Sequence, residues 1–220
     1  SAIVMRHTGD VTGRNWSYEE WVMSAAPNQP PTPYGSSIKT HINSLHEDLH
    51  DVYFYARPSV VLIDGVLVMS LSAFVQGKDA PDRIIMLVST DHARSWRYMG
   101  TALRESDAVK IGNLTRIGGA SLAVKDDVLY LAAFFADQNS GATGTYIFDF
   151  EDASRARLRR DPKTGGPAIA QFIPTVKQPP TLLGGGALAY SKGCDKYSFI
   201  SESVDNRRYD IYAVPVSLGR

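Results

Sequence analysis

Twelve consecutive residues, His46-Glu47-Asp48-Leu49-His50-Asp51-Val52-Tyr53-Phe54-Tyr55-Ala56-Arg57, bring together two histidines, three carboxylates, two tyrosines and one arginine. An arginine is a planar, permanently charged fork that grips a carboxylate, or a pair of hydroxyl groups, through parallel hydrogen bonds. Asp48 and Asp51 are the nearest candidate acids or bases to Arg57, and Glu202, far downstream, is a further carboxylate suited to acid–base work. Tyr53 and Tyr55 flank Phe54 in a strand-like run, so their side chains share one face, which is either core or a ligand platform. His46 and His50 are four apart, a spacing two metal ligands use on a helix face. No third ligand follows at fixed spacing, so no metal is expected. The structural alternative for Arg57 is an ion pair with Asp51 or Glu47 that pins the loop.

The chain that must position these residues has 220 of them, 44% hydrophobic and 21% charged. That is enough for a full core, long for a single sandwich and ordinary for a larger all-β domain. Lys plus Arg and Asp plus Glu both number 23, so no basic excess argues for nucleic acid or an anionic membrane surface. The single cysteine, Cys194, excludes an intrachain disulfide and a cysteine zinc cluster. No cofactor is expected. No apolar run reaches membrane-spanning length and no charged-then-apolar leader is present, so the chain reads as soluble. It opens on Ser1 and passes at once into a strand-like run, as a processed or truncated chain does.

Three segments repeat one pattern. Arg57 to Ser70 holds an Asp64-Gly65 pair between β-branched residues, a strong hairpin signal. Ala120 to Leu131 turns about Asp126-Asp127, and Gly186 to Ile200 forms a third hairpin. Ser59, Ser121 and Ala187 are equivalent in this alignment, separated by 62 and 66 residues, and Ile85, Ile147 and Ala213 in the following strands repeat the same separations. A β-sandwich explains alternating strands but not such a repeat, which is how the blades of a β-propeller look in sequence. The best helix candidate, Glu151 to Arg160, is charged throughout and reads as a solvated connection or one short helix. The Pro-rich run from Pro27 to Pro33 cannot sustain a ladder and reads as a surface connection.

After the apolar strand Ile84 to Val88 comes Ser89-Thr90-Asp91-His92-Ala93-Arg94-Ser95-Trp96. An Asp in a tight turn accepts hydrogen bonds from donors just downstream, hydroxyl residues support the turn, and the Trp folds over it. This stretch resembles the Asp box of sialidases and related β-propellers, which lies at the blade periphery, so the resemblance implies a structural Asp91. Thr8-Gly9-Asp10 followed by Trp16 reads as a degenerate second box with an insertion, with Trp16, Tyr18 and Trp21-Val22-Met23 as the outer strand of a partial blade.

In a propeller, each innermost strand begins near the axis, and the segments leading into it line the ligand face with the connections between second and third strands. The lead-ins are His46 to Arg57, Asn113 to Arg116, and Thr181 to Gly186. The connections are Gln76 to Arg83, Asp137 to Gly144 and Glu202 to Arg208. The candidate binding residues are therefore His46, His50, Tyr53, Tyr55, Arg57, Arg116, Asp137 and Arg207, with Asp48, Asp51 and Glu202 as catalytic carboxylates. Gly184-Gly185-Gly186 fails the context of a phosphate loop and suits close packing at the axis.

The run Tyr55-Ala56-Arg57-Pro58-Ser59-Val60-Val61 resembles two family motifs. Sialidases carry an Arg-Ile-Pro on this strand, whose Arg joins a triad that grips the substrate carboxylate. Arabinanase-, fructosidase- and mannoside-phosphorylase-like propellers carry an acidic or amide residue before a similar Pro, followed by an Asp-Gly hairpin. The hairpin is present here, but Arg57 stands where their nucleophile or base would be. The resemblance implies an all-β propeller with blades of about 60 residues, of a five-bladed type incomplete in this chain. It forms a single domain: a partial blade over 1–33, then blades over 50–104, 114–160 and 180–220. It further implies a carbohydrate-active, glycoside-hydrolase-like protein acting on or binding a sugar at the central face, or a propeller that binds carbohydrate or protein and has lost the acids.

Overall fold

Short apolar runs separated by two-residue turns pair most readily with their neighbours in the chain, and the computed structural model is built of such meanders. It describes residues 2–6, 8–10, 12–18, 20–25, 40–112, 114–137, 141–174, 185–188, 197–205, 208–216 and 218; at 21, 137, 141–143, 185–188, 197–205 and 208–213 the backbone alone is described. The first sheet joins β1 (Ala2–Met5), β2 (Glu20–Ser24) and β3 (Thr40–His41), the last pairing parallel. Two 3-10 turns, Ile42–Ser44 and Glu47–Leu49, lead to the second sheet. Its order is β4 (Val52–Ile63), β5 (Val66–Val75), β6 (Arg83–Ser89) and β7 (Arg97–Arg104), all antiparallel. Helix α1 (Glu105–Gly112) follows. The third sheet is β8 (Arg116–Lys125), β9 (Val128–Asp137) and β10 (Gly141–Asp152), with β11 (Arg157–Leu158) and β12 (Ile169–Pro174) both on β10. The fourth is β13 (Gly185–Leu188), β14 (Tyr197–Asp205) and β15 (Arg208–Pro215).

The hairpin turns follow from their residues. Asp64 and Gly65 have φ of 50° and 75°, and Asp126 and Asp127 have 52° and 58°. Two left-handed residues in succession match the right-handed twist of the flanking strands, and Asp and Gly tolerate that backbone best.

Alternation along the strands then stacks the sheets. On β5, Met69, Leu71 and Ala73 join Ile3, Met23, Ile42 and Leu49 in one core cluster. Val68, on the opposite face, joins Leu122, Leu131, Phe135 and Phe148 of the third sheet in another. A third cluster, including Ala132, Ile147, Ile173, Val216 and Leu218, covers the far face of the third sheet. The first strands of neighbouring sheets abut, since the Leu122 amide on β8 donates to Ser59 Oγ on β4 at 2.9 Å. Meander sheets stacked face to face with their first strands together make a β-propeller.

The Ser89–Trp96 turn forms the expected bonds. Ser95 donates its amide and its hydroxyl to the Asp91 carboxylate at 2.9 and 2.6 Å, and Trp96 is 4% exposed in the cluster that holds Ala93. At the N-terminal equivalent, Asp10 likewise accepts from the Thr12 amide and hydroxyl at 2.8 and 2.7 Å. Trp16, however, is 55% exposed and donates its indole N–H to Gly13 O of its own turn. It lies before β2, as does the exposed Tyr18, so the outer strand is shorter than the sequence suggests. The Pro27 to Pro33 run lies outside the described residues.

The helix sits at 105–112 rather than 151–160. Eight residues are too few to show a period, yet the acids Glu105 and Asp107 open the helix and Lys110 closes it, as the helix dipole favours. Asp107 is buried, accepting from the Arg104 amide and from Arg160. The charged run beyond 150 instead ends β10, makes a 3-10 turn over Ala153–Arg155 and forms β11.

Candidate functional site

The β4–β5 ladder slips between Ala56 and Ser59, so that Arg57 and Pro58 together stand opposite the single residue Leu71. Pro58 has no N–H to give a ladder, which favours a slip at this point. Arg57 adopts φ 55°, a left-handed conformation that costs a non-glycine residue on the order of 1 kcal/mol. The distortion aims its side chain across onto β8. The guanidinium carbon lies 5.5 Å from the Phe134 ring centre. Beneath it, Gly118 and Gly119 leave the recess: a methyl group on Gly118 would lie 1.8 Å from the Phe134 ring, and one on Gly119 2.8 Å from Arg57.

Among the described residues no carboxylate pairs with Arg57. Burial lowers its pKa from the usual value, because partial loss of water disfavours the cation. A cation–π contact offsets about 0.5–1 kcal/mol of that penalty. Arg57 is thus an accessible, partly desolvated cation on an inner strand, with no carboxylate partner among the described residues.

The expected carboxylates are engaged elsewhere. Asp51 accepts from Arg83 Nη2 at 2.8 Å, while Arg83 Nε donates to Asp82 at 2.8 Å and Nη1 to the carbonyl of Asp48. Arg83 is 7% exposed. Burial works against its charge, but Asp82 and Asp51 together raise its pKa. Burial likewise pushes Asp82 upward, and Lys78 and Arg83 overcome it and hold that carboxyl below its ordinary value. Lys78 also bonds Glu105, tying the β5–β6 connection to α1. Asp48 accepts from Arg104 at 3.3 Å and from the Tyr98 hydroxyl at 3.4 Å. An ion pair pins this lead-in, as the structural alternative anticipates, but through Arg83 and Arg104 rather than Arg57.

His46 caps the Glu47–Leu49 turn, its Nδ1 accepting from the Asp48 amide at 3.2 Å, and its ring packs 4.8 Å from that of Tyr98. His50 is the exposed residue closing the same turn. Tyr53 and Tyr55 do not share a face. A second slip between Val52 and Phe54 leaves Tyr53 55% exposed and Tyr55 3% exposed, with the Tyr55 hydroxyl donating to Asn43 Oδ1 at 2.8 Å. Burial raises the Tyr55 pKa well above the tyrosine range, so this residue is core and not a platform. The exposed aromatics on β4 are Tyr53 and Phe54, and the Phe54 ring lies edge to face with that of the half-buried Phe74 at 5.3 Å.

Arg116 opens β8 and pairs with Asp79 at 3.0 Å, both accessible. Asp137 ends β9, and its side chain lies outside the description. Glu202 sits within β14, which continues to Asp205, and not in a connection; its side chain also lies outside the description, as do Arg207 and Gly184 altogether. Gly185 and Gly186 open β13. The residues the sequence does not single out are Arg83, Arg104, Phe134 and the Gly118-Gly119 pair. The one signal for the last is two adjacent glycines inside a strand pattern, a mark of close approach.

A cleft of about 380 Å³ lies at the hairpin end of the second sheet, between Ile63, Val68, Val88, Met99 and Leu129. Its walls are mostly apolar, with Asp64, Thr90, Arg97 and Ser154 also in the lining. Arg57 stands six residues along β4 from Ile63, so this cleft is separate from the Arg57 recess.

No family profile matches the chain and no curated protein sequence matches it. Solved structures do. An exo-β-1,3-galactanase from Phanerochaete chrysosporium, solved with β-1,3-galactotriose, matches with a TM-score of 0.50 and 11% identity over 97% of this chain and 43% of its own. A GH43B protein of a xyloglucan PUL from Bacteroides ovatus matches at 0.47 and 11% over 77% and 30%. A putative exo-β-1,3-galactanase from Bifidobacterium bifidum s17 matches at 0.45 and 11% over 84% and 52%. The chain spans less than half the length of the first two. At such identity the likeness with the galactanase is one of fold, and it agrees with the propeller built above.

Proposed function

We propose that this chain is part of a carbohydrate-binding propeller of the glycoside-hydrolase type, with the sugar held where β4 and β8 meet. The observation that carries the reading is Arg57: a strained bulge residue on an inner strand, laid on Phe134 and a glycine recess, with its charge unanswered among the described residues. Bulges that re-aim a side chain are enriched beside functional sites, and backbone strain of this kind persists where surrounding structure holds it. The neighbours of like fold include enzymes solved with sugars, among them galactotriose and xylotriose, which supports a carbohydrate as the ligand class. The sialidase-like turn at Ser89 to Trp96 supports the same architecture and is peripheral to the site.

Binding without turnover is the reading the carboxylates favour. Asp48 and Asp51, the candidate acids beside Arg57 in sequence, are both held by other arginines. A glycosidase of this geometry needs two carboxyl groups about 5–10 Å apart across one bond, which would fall to Glu202 and groups outside the described residues. A glycan array run beside a panel of chromogenic glycosides tests both readings. Retention of one glycan class without release of chromophore is expected; turnover that is lost in Asp48→Asn or Asp51→Asn would restore those residues as catalytic, and no retention of any glycan would end the carbohydrate reading.

A further inference from the structure

Resting on the reading that the β4–β8 face binds sugar, we infer that the sugar is acidic, a hexuronate or its oligomer, and that Arg57 takes its carboxylate. The ring beneath Arg57 and the two glycines beside it supply contact but no negative charge. Arg116, the other arginine on β4 and β8, is paired with Asp79, so among the described residues of these two strands Arg57 is the cation left to a ligand. A neutral hydroxyl returns only part of what the guanidinium loses with its water, whereas a carboxylate makes the charge-assisted, two-pronged bond that matches the fork. Phe134 lies on one side of the guanidinium, its ring centre 5.5 Å from the guanidinium carbon, and an incoming carboxylate would bond the N–H groups left accessible. The exposed Tyr53 and Phe54, three or more residues away on β4, offer apolar surface for the neighbouring sugar rings of an oligomer, backed by the half-buried Phe74 on β5.

Calorimetric titration of the full chain with trigalacturonate, and with the same trisaccharide after reduction of its carboxyl groups to hydroxymethyls, tests this. Wild type is expected to bind the acid about tenfold or more tightly than the reduced form, the value of one charge-assisted hydrogen bond. Arg57→Met is expected to bring the acid down to the reduced form's affinity, and Arg57→Lys to fall between, because it keeps the charge and loses the fork. Thermal unfolding reports whether each variant folds; if Arg57→Met does not, Arg57→Lys and the salt dependence of wild-type binding carry the test. Equal binding of acid and reduced forms overturns the acidic assignment and leaves the sugar site standing. Undiminished acid binding in both variants overturns the role of Arg57. Failure to bind either form or any member of a neutral oligosaccharide panel overturns both readings.

Discussion

Removing the Arg83 guanidinium would leave Asp51, Asp82 and the carbonyl of Asp48 without their shared donor. Arg83→Met is therefore expected to cost on the order of 3 kcal/mol of stability, measured by denaturant unfolding, and a loss under 1 kcal/mol would show that Lys78 and solvent suffice. Asp91 gives a second test. Hydrogen bonds from the Ser95 hydroxyl and amide hold its pKa at about 2, below the unfolded value near 3.9. A depressed carboxylate stabilises the fold above the unfolded pKa and loses that contribution as pH falls through the folded one. The Tm gap between wild type and Asp91→Ala should therefore shrink between about pH 4 and about pH 2, and a gap constant with pH would contradict the hydrogen-bonded carboxylate. The turn around Asp91 is legible because every partner lies within six residues. The partner of Asp51 is not, because Arg83 is 32 residues away, and nothing local distinguishes it from the nearer Arg57. The opposite fates of Tyr53 and Tyr55 are hidden for a related reason, since a single slipped residue in a ladder reverses the faces that a period of two assigns.

Strand β8 gives up side chains at Gly118 and Gly119 to let Phe134 and Arg57 lie on its backbone. Gly118→Ala is expected to displace the ring, lowering stability by about 1–3 kcal/mol through overpacking and weakening sugar binding together with it; intact binding at reduced stability would separate the recess from the site. Strand β5 carries the opposite peculiarity. Ser70 and Ser72 are buried with hydroxyls that find no partner among the described residues, on the face that Val68 turns to the third sheet. Replacing an unpaired buried hydroxyl by hydrogen is neutral or favourable, so Ser72→Ala should hold or raise Tm, and a fall would reveal a bond the hydroxyl makes. The hairpins were readable because Asp-Gly and Asp-Asp pairs dictate turn geometry locally. Helix α1 was not, since eight residues with one buried acid present no apolar stripe, and the anchor of Asp107 is Arg160, 53 residues on.

Sheets that stack through three separate clusters, with β4 and β8 touching edge to edge, give the molecule a seam between blades, and the recess under Arg57 lies in that seam. The repeat of three hairpins made the propeller legible from sequence. The site was only half legible, because the fold brings Arg57 to Phe134 and Gly119, which no spacing in the chain connects. The hairpin-end cleft is the natural competitor, being concave and mostly apolar as ligand pockets usually are. The two locations are told apart by mapping backbone amide shifts by NMR while titrating trigalacturonate, or a neutral oligosaccharide if the array selects one. The account predicts saturable shifts centred on Arg57, Ser59, Gly118, Gly119 and Phe134; shifts centred on Ile63, Val68, Val88 and Met99 would contradict it.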